Sequence, residues 1–227
     1  MSSSISYRYE RKYLVEGLGS QHVRSLVKLH PALFLEPYPP RYVNNIYLDT
    51  PEMDYYYENV SGVKDRRKVR IRWYGDLFGP VRKPSLEFKI KDGLVGTKKI
   101  YPFPDFALDE GFDRATFREI LSGSDLPQQI RYYLRDLEPV VVNRYYRWYY
   151  ATTDGRYRVT VDTEMSFYHI EGMKNSFRHR QMNYSNLVVE LKYDAQHDSQ
   201  AGRVAQFFPF TVSKNSKYVE GIERVYL

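Results

Sequence analysis

Residues 67–75 read RKVRIRWYG, and residues 84–93 read PSLEFKIKDG. In the first stretch Lys68, Arg70 and Arg72 alternate with Val69, Ile71 and Trp73; in the second Glu87, Lys89 and Lys91 alternate with Leu86, Phe88 and Ile90. A strand turns successive side chains to opposite faces, so each stretch predicts a strand with one apolar and one ionic face. Asp92-Gly93 supplies a turn signal, after which Thr97–Phe103 is expected to return as the neighbouring strand.

The same pattern extends along the chain. Tyr7–Val15 sets a mostly apolar face of Tyr7, Tyr9, Arg11, Tyr13 and Val15 against a mostly ionic one of Arg8, Glu10, Lys12 and Leu14, and Tyr42–Asp49 is rich in strand formers. PVVVNRYYRWYYAT (139–152) reads as a long strand, and Asp154-Gly155 as a hairpin turn. YRVTVDTEMSFYHI (157–170) places Arg158, Thr160, Asp162 and Glu164 against Val159, Val161, Thr163 and Met165, and NLVVELKYD (186–194) places Glu190 and Lys192 against Val189 and Leu191. Helices are expected at Ser20–Leu35 with Ser20 as cap, in short form after a Thr50 cap, across Phe112–Leu137 with a break at SGSDLP (122–127), at Ala201–Phe208 and at Ser216–Val225. Gly172–Asn186 reads as a loop.

Composition sets the outer bounds. The 227 residues include 42% apolar and 27% charged side chains, ordinary globular usage that excludes wholesale disorder. Aromatic residues reach 16%, carried by 23 Tyr and 12 Phe, which argues against an all-helical bundle. The absence of Cys excludes disulfides, thiolate metal sites and a cysteine nucleophile. No apolar run approaches the ~18 residues of a membrane span, and the opening MSSSISYRYERKYLV lacks the apolar core of a secretory signal. A single cytoplasmic domain over residues 1–227 is expected.

Ionic residues two apart on one strand face form the chemical signal: Arg70 with Arg72, Glu87 with Lys89, Arg158 with Asp162 two steps on, and Glu190 with Lys192. One strand of this kind is compatible with an antiparallel sheet solvated on one side. Several of them, with strongly apolar opposite faces and helices to cover those faces, predict an α+β fold: a closed antiparallel barrel with flanking helices and a charged lumen. Such a lumen suits an anion, because the planar arginine fork meets two phosphate oxygens at once and lysine adds a point charge. The acids Glu10, Glu87, Asp162 and Glu190 have two readings, internal salt bridges or ligands of a divalent cation bridging phosphate oxygens. Glu190 is assigned to the metal.

ERKYLV (10–15), IYLDT (46–50), VRIRWYG (69–75), LEFKIK (86–91), VNRYYR (142–147), RVTVDTEM (158–165), VVELKYD (188–194) and SKNSKYVEGI (213–222) occur in an order that resembles the VTC-type polyphosphate polymerase domain, a branch of the triphosphate tunnel metalloenzymes. The resemblance implies an eight-stranded tunnel that binds ATP and a polyphosphate or tripolyphosphate chain with Mn²⁺ or Mg²⁺. Lys12 takes the place of the N-terminal tunnel lysine, Arg70 and Arg72 that of the paired arginines, and Lys89 and Lys98 those of the next two lysines. Arg144, Arg158 and Lys192 continue the series, and Lys214 and Lys217 close it. Glu190 matches the metal-binding glutamate, with Glu10 as a second ligand. One departure stands out: Arg8 occupies the position of the first glutamate in the superfamily's Glu-x-Glu-x-Lys signature, which weakens a two-metal hydrolase and agrees with the polymerase branch.

The expected reaction is transfer of the γ-phosphate of ATP to a growing polyphosphate chain. Arg70, Arg72, Lys89, Lys98, Arg144 and Arg158 cradle the triphosphate, while Lys12, Lys192, Lys214 and Lys217 grip the chain. The rivals are a triphosphatase using the same residues and a polyphosphate binder without turnover. A nucleic-acid partner is not expected, because the aromatic residues read as strand core rather than as a stacking platform. His22, His30, His169, His179 and His197 lack ligand spacing and are expected on the surface or in loops, and Tyr55–Tyr57 reads as packing. The ten assigned cations and four acids together account for the whole formal charge of +6.

Overall fold

The computed structural model describes residues 8–92, 95–171, 175–177, 180–183 and 186–227. Tyr7, Gly93 of the expected turn, His179 and parts of the expected loop 172–186 lie outside them. Eleven strands are described: β1 Arg8–Glu16, β2 Arg41–Asp49, β3 Asp65–Tyr74, β4 Gly79–Val81, β5 Ser85–Asp92, β6 Val95–Pro102, β7 Phe106–Leu108, β8 Glu138–Ala151, β9 Tyr157–His169, β10 Arg180–Asn183 and β11 Asn186–Asp194. The helices are α1 Ser20–Lys28, α2 Asp54–Ser61, α3 Arg114–Ser122, α4 Gln128–Leu134, α5 Asp198–Ala205 and α6 Lys217–Tyr226. Each expected long strand forms within two residues of its predicted limits. None of the described helices is long and apolar enough to cross a membrane.

The expected barrel is corrected to an open sheet. Its hydrogen-bonded path is β1-β11-β9-β8-β2-β3-β5-β6, with β10 beside β9, and β4 and β7 pair separately. The outer side of β1 is occupied by a loop segment: Tyr13 bridges to Val212, Ser213 N donates to Lys12 O at 2.8 Å, and Leu14 N donates to Ser213 Oγ at 2.8 Å. Those bonds take the donors and acceptors that a closing strand would need.

Two compact units are distinguished, and β8 and β9 contribute to both. The first comprises residues up to Arg41, Tyr145–Met165 and Asn183–Asn215. Its core collects the apolar faces of β1, β9 and β11 (Tyr13, Val15, Val159, Val161, Val189 and Leu191) against Val23 and Val27 of α1 and Ala201 of α5. Alternation alone explains this face, and helix α1 buries the two valines that recur at helical spacing. The helix starts without the expected Ser20 cap, since Gly19 precedes it and makes no side-chain cap bond. It ends at Lys28, ahead of Pro31, rather than at Leu35. His30 is buried rather than superficial, with Nε2 against Val204 O at 2.9 Å and Nδ1 accepting from Ala32 N at 3.0 Å.

The second unit comprises Tyr42–Arg144, Ser166–Met182 and Ser216–Leu227. Here the buried Val69, Ile71, Leu86 and Phe88 realise the predicted apolar faces of β3 and β5. Asp49, at the end of β2, accepts from Thr50 N, Tyr55 N and Tyr56 N and from the Tyr218 hydroxyl. Thr50 Oγ1 accepts from Asp54 N at 3.0 Å, so the start of α2 is capped by both residues. Of the Tyr55–Tyr57 run expected to pack, Tyr55 is buried with its hydroxyl on that of Tyr133, whereas Tyr57 faces outward and is exposed. In α6, Gly221 allows close approach: a Cβ there would lie 2.9 Å from Phe167 Cδ1 and 3.3 Å from Val141 Cγ2, and both of those side chains are fully buried.

Gly221→Ala is expected to destabilise the protein by about 1–3 kcal/mol through overpacking. Gly202→Ala in α5, where nothing lies within 4 Å of the new Cβ, is expected to add up to ~1 kcal/mol from helix propensity. Urea unfolding midpoints of the two variants check both signs.

Candidate functional site: two carboxylates among cations

In the first unit the register of β1, β11 and β9 places charges in rows on one face. Lys12 lies opposite Glu190, which lies opposite Thr160; Glu10 lies opposite Lys192, which lies opposite Arg158. This face alternates with the apolar one, so the ladder collects the ionic side chains without any special backbone. Glu190 is buried and meets three cations: Lys192 Nζ at 2.5 Å, Lys12 Nζ at 3.4 Å and Arg147 Nη2 at 3.5 Å. Thr160 Oγ1 donates to it at 3.4 Å. Lys12 Nζ also reaches Glu10 at 3.3 Å and donates to Asn215 O at 3.1 Å.

Burial disfavours the Lys12 ammonium, but Glu10 and Glu190 outweigh it and hold the group above the ordinary lysine value. Arg147 grips Asp162 through two parallel bonds, Nε to Oδ1 at 2.6 Å and Nη2 to Oδ2 at 2.7 Å. Its own burial is likewise overcome by that carboxylate. Arg158 keeps a buried Nε that has no hydrogen-bond partner.

In the second unit the corresponding centre is Glu87 on β5. Arg70 donates to Oε2 from Nε at 2.8 Å and from Nη2 at 2.6 Å, Arg72 Nη1 stands 3.7 Å from the same oxygen, and Lys98 Nζ donates to Oε1 at 2.8 Å. The register explains the set, since Arg70 is opposite Glu87 and Lys98 is diagonal to it across β6. Burial alone would raise the Glu87 pKa, yet Arg70, Arg72 and Lys98 bring it down to about 2. Arg72 is further fixed by a buried relay: its Nε donates to Asn45 Oδ1 at 2.9 Å, and Asn45 Nδ2 donates to Asn143 Oδ1 at 3.2 Å. Lys68 and Lys89 sit opposite each other on the same face, with Lys89 also opposite Lys98. Lys68 Nζ donates to Ser216 Oγ, the cap of α6, at 2.7 Å. With Lys68 and Lys89 beside the three cations at Glu87, this face carries five positive charges against one carboxylate and has a strongly positive potential.

The sequence assignments therefore divide. Lys12, Arg158, Glu190, Lys192 and Glu10 share one face in the first unit, where Lys214 is exposed. Arg70, Arg72, Lys89 and Lys98 share one in the second, where Lys217 is buried at the start of α6. Arg144 joins neither set; its guanidinium lies over the Tyr42 ring at 3.8 Å, and its Nε is buried and unpartnered. The residue missed is Arg147, three positions on in the same NRYYR run and so of opposite parity. Asn143 and Asn45, which orient Arg72, were missed as well; their signal was a polar residue inside an apolar strand run, at NN in β2 and VVVN in β8. Glu164 leaves the expected alternation, being exposed with φ at +52°.

For a divalent cation the fit is limited. Among the described residues no group of three His, Cys, Asp or Glu side chains comes together. Glu10 and Glu190 approach the same lysine, and two carboxylates suit a cation that keeps most of its shell on waters and phosphates.

A family model described as the VTC domain matches residues 7–226. No curated protein matches the sequence. Among solved structures, the chain is similar to a "putative adenylate cyclase" from Vibrio parahaemolyticus at 11% identity and a TM-score of 0.52, covering 96% of this chain and 98% of that one. It also aligns with the mimivirus capping enzyme triphosphatase in two crystal forms. Both alignments have 9% identity, with TM-scores of 0.35 and 0.36, covering 88% and 90% of this chain and 89% and 90% of those. At 11% identity the first likeness concerns the fold alone.

Because the folded pKa of Glu87 lies below its ordinary 4.5, its stabilisation is fully present above pH 4.5 and is lost as pH falls through about 2. Glu87→Gln is expected to be less stable at pH 7, by about 3 kcal/mol. The difference from the parent should shrink steadily between pH 4.5 and pH 2 in urea unfolding measured at each pH.

Proposed function

The chain belongs to the VTC domain family, and from this premise we propose that it is an ATP-dependent polyphosphate polymerase. The observation that carries the reading is the Glu87 centre. Arg70, Arg72 and Lys98 converge on one buried carboxylate, and Lys68 and Lys89 extend the same face. Phosphoryl transfer asks for positioning and charge neutralisation more than for covalent chemistry, and arginines held in place beforehand supply both.

In the proposed reaction a terminal phosphate oxygen of the acceptor chain attacks the γ-phosphorus of ATP. A new P–O bond forms there, the bond from the γ-phosphorus to the β,γ-bridging oxygen breaks, and ADP leaves with that electron pair. No general base is needed, because the acceptor phosphate is already ionised. Arg70, Arg72, Lys89 and Lys98 hold phosphate oxygens, with Arg72 oriented through Asn45. On their own face, Lys12, Arg158 and Lys192 contribute further phosphate contacts, Arg147 fixes Asp162 beside them, and Lys214, Lys217 and Arg144 retain the roles implied by the family motifs. A divalent ion, Mn²⁺ or Mg²⁺, supplies charge neutralisation on phosphate oxygens when bound, and Glu190 with Glu10 would hold it.

Purified protein with ATP and Mn²⁺ is expected to yield polyphosphate chains resolved on a gel. Arg72→Ala should lower the rate by ~10²- to 10³-fold. Arg82→Ala, whose side chain is 74% exposed and pairs with Asp105, should leave the rate unchanged. Orthophosphate released without polymer would replace the reading with a triphosphatase, and tight tripolyphosphate binding without turnover would replace it with a binder.

A further inference from the structure

β8 carries a second kind of side chain on the face that holds Arg147. Backbone pairing of Thr152 N with Tyr157 O, the Thr163 Oγ1 bond to Tyr146 O and the Arg147–Asp162 ion pair all fit one hairpin register. In that register Tyr149 stands opposite Thr160, in the row that continues through Glu190 to Lys12. Its diagonal neighbour on β9 is Arg158, on the order of 7–8 Å away. Arg158 has a buried Nε without a hydrogen-bond partner, as Arg144 and Arg114 do.

Tyr149 is not packed as core. Its ring meets that of Tyr38 at 6.2 Å and 88°, and Tyr38 is 64% exposed. Arg41 Nε donates to the Tyr149 hydroxyl at 3.2 Å, and the guanidinium carbon stands 5.3 Å from the ring centroid. Two rings at right angles make a corner: a flat heterocycle stacks on one ring and meets the other edge-on, and the arginine stiffens the arrangement. Aromatic stacking of this kind accepts a base without reading its identity.

We propose that Tyr149, with Tyr38 and Arg41, is the seat for the base of a nucleoside polyphosphate, whose phosphates run toward Arg158. The inference rests on the nucleotide-dependent reading above and deepens it, by placing the base on the aromatic corner and leaving the row of cations to the phosphates. The base contributes affinity here with little selectivity among purines, so ATP and GTP are expected to bind alike.

The test is equilibrium binding of ATP and of tripolyphosphate, which has no base, to the full chain by calorimetry. Tyr149→Ala is expected to weaken ATP by roughly 10- to 100-fold and to leave tripolyphosphate within twofold of the parent. Tyr149→Phe, which keeps the ring and loses the hydroxyl, should retain most of the ATP affinity. Equal losses for both ligands in Tyr149→Ala would mean a structural role and overturn the seat, as would unchanged ATP binding. A parent protein that does not bind ATP overturns the proposed function and the seat with it, whereas a parent that binds ATP with an affinity that Tyr149→Ala leaves unchanged overturns the seat alone.

Discussion

The buried pair of Arg147 and Asp162 fixes the frame on which the charged face of the first unit is drawn. Taking two charges out of water is costly, and two short parallel bonds, with Glu190 near the same guanidinium, are the geometry in which the cost is recovered. Its structural effect is on register. A slip of one residue between β8 and β9 would send every side chain of one strand to the opposite face, parting Tyr149 from Thr160 and Arg147 from Asp162. The pair stabilises one pairing and, through it, the order of the rows that follow on β11 and β1.

Both centres use the same device at different strength. A single buried glutamate sits among cations and keeps them from repelling one another when no other anion is present. In the first unit the three acids Glu10, Asp162 and Glu190 stand against the four cations Lys12, Arg147, Arg158 and Lys192, so that face is close to neutral. Around Glu87 the balance is strongly positive, and the Asn45–Asn143 relay holds Arg72 without adding charge. Neutral amides orient the arginine fork while leaving its attraction for phosphate intact.

Much of this was legible in the sequence wherever one strand face was apolar and the other ionic. In β3, β5, β9 and β11 the pattern fixed both the element and the face, and the cations of β3 and β5 fell where expected. It failed in β8, where NRYYRWYY puts an arginine and large aromatic side chains on both parities: Asn143, Tyr145, Arg147 and Tyr149 on one, Arg144, Tyr146, Trp148 and Tyr150 on the other. Periodicity cannot choose between two such rows; only the contact with Asp162 does. Closure was misjudged for a different reason. Alternation describes the faces of a strand and carries no information about its edges, and the edge of β1 is met by a loop some two hundred residues away in the chain. The left-handed Glu164 was equally silent, because a polar residue beside Thr163 looks like continued alternation.

That covering of β1 has a consequence for the order of assembly. The ladder partner of β1 is β11, and its outer edge is met by Val212 and Ser213, so neither side of the strand has a native partner until the chain beyond Asn186 has been made. The β2-β3-β5-β6 pairings, by contrast, span short stretches of chain and need nothing made later than Pro102. Long-range pairing of this kind slows folding, because loop closure must precede the contacts that reward it. During synthesis, therefore, β1 waits as an unpaired amphipathic segment, and its alternating arginines, lysine and glutamates serve a second purpose: they discourage association with other chains until β11 arrives.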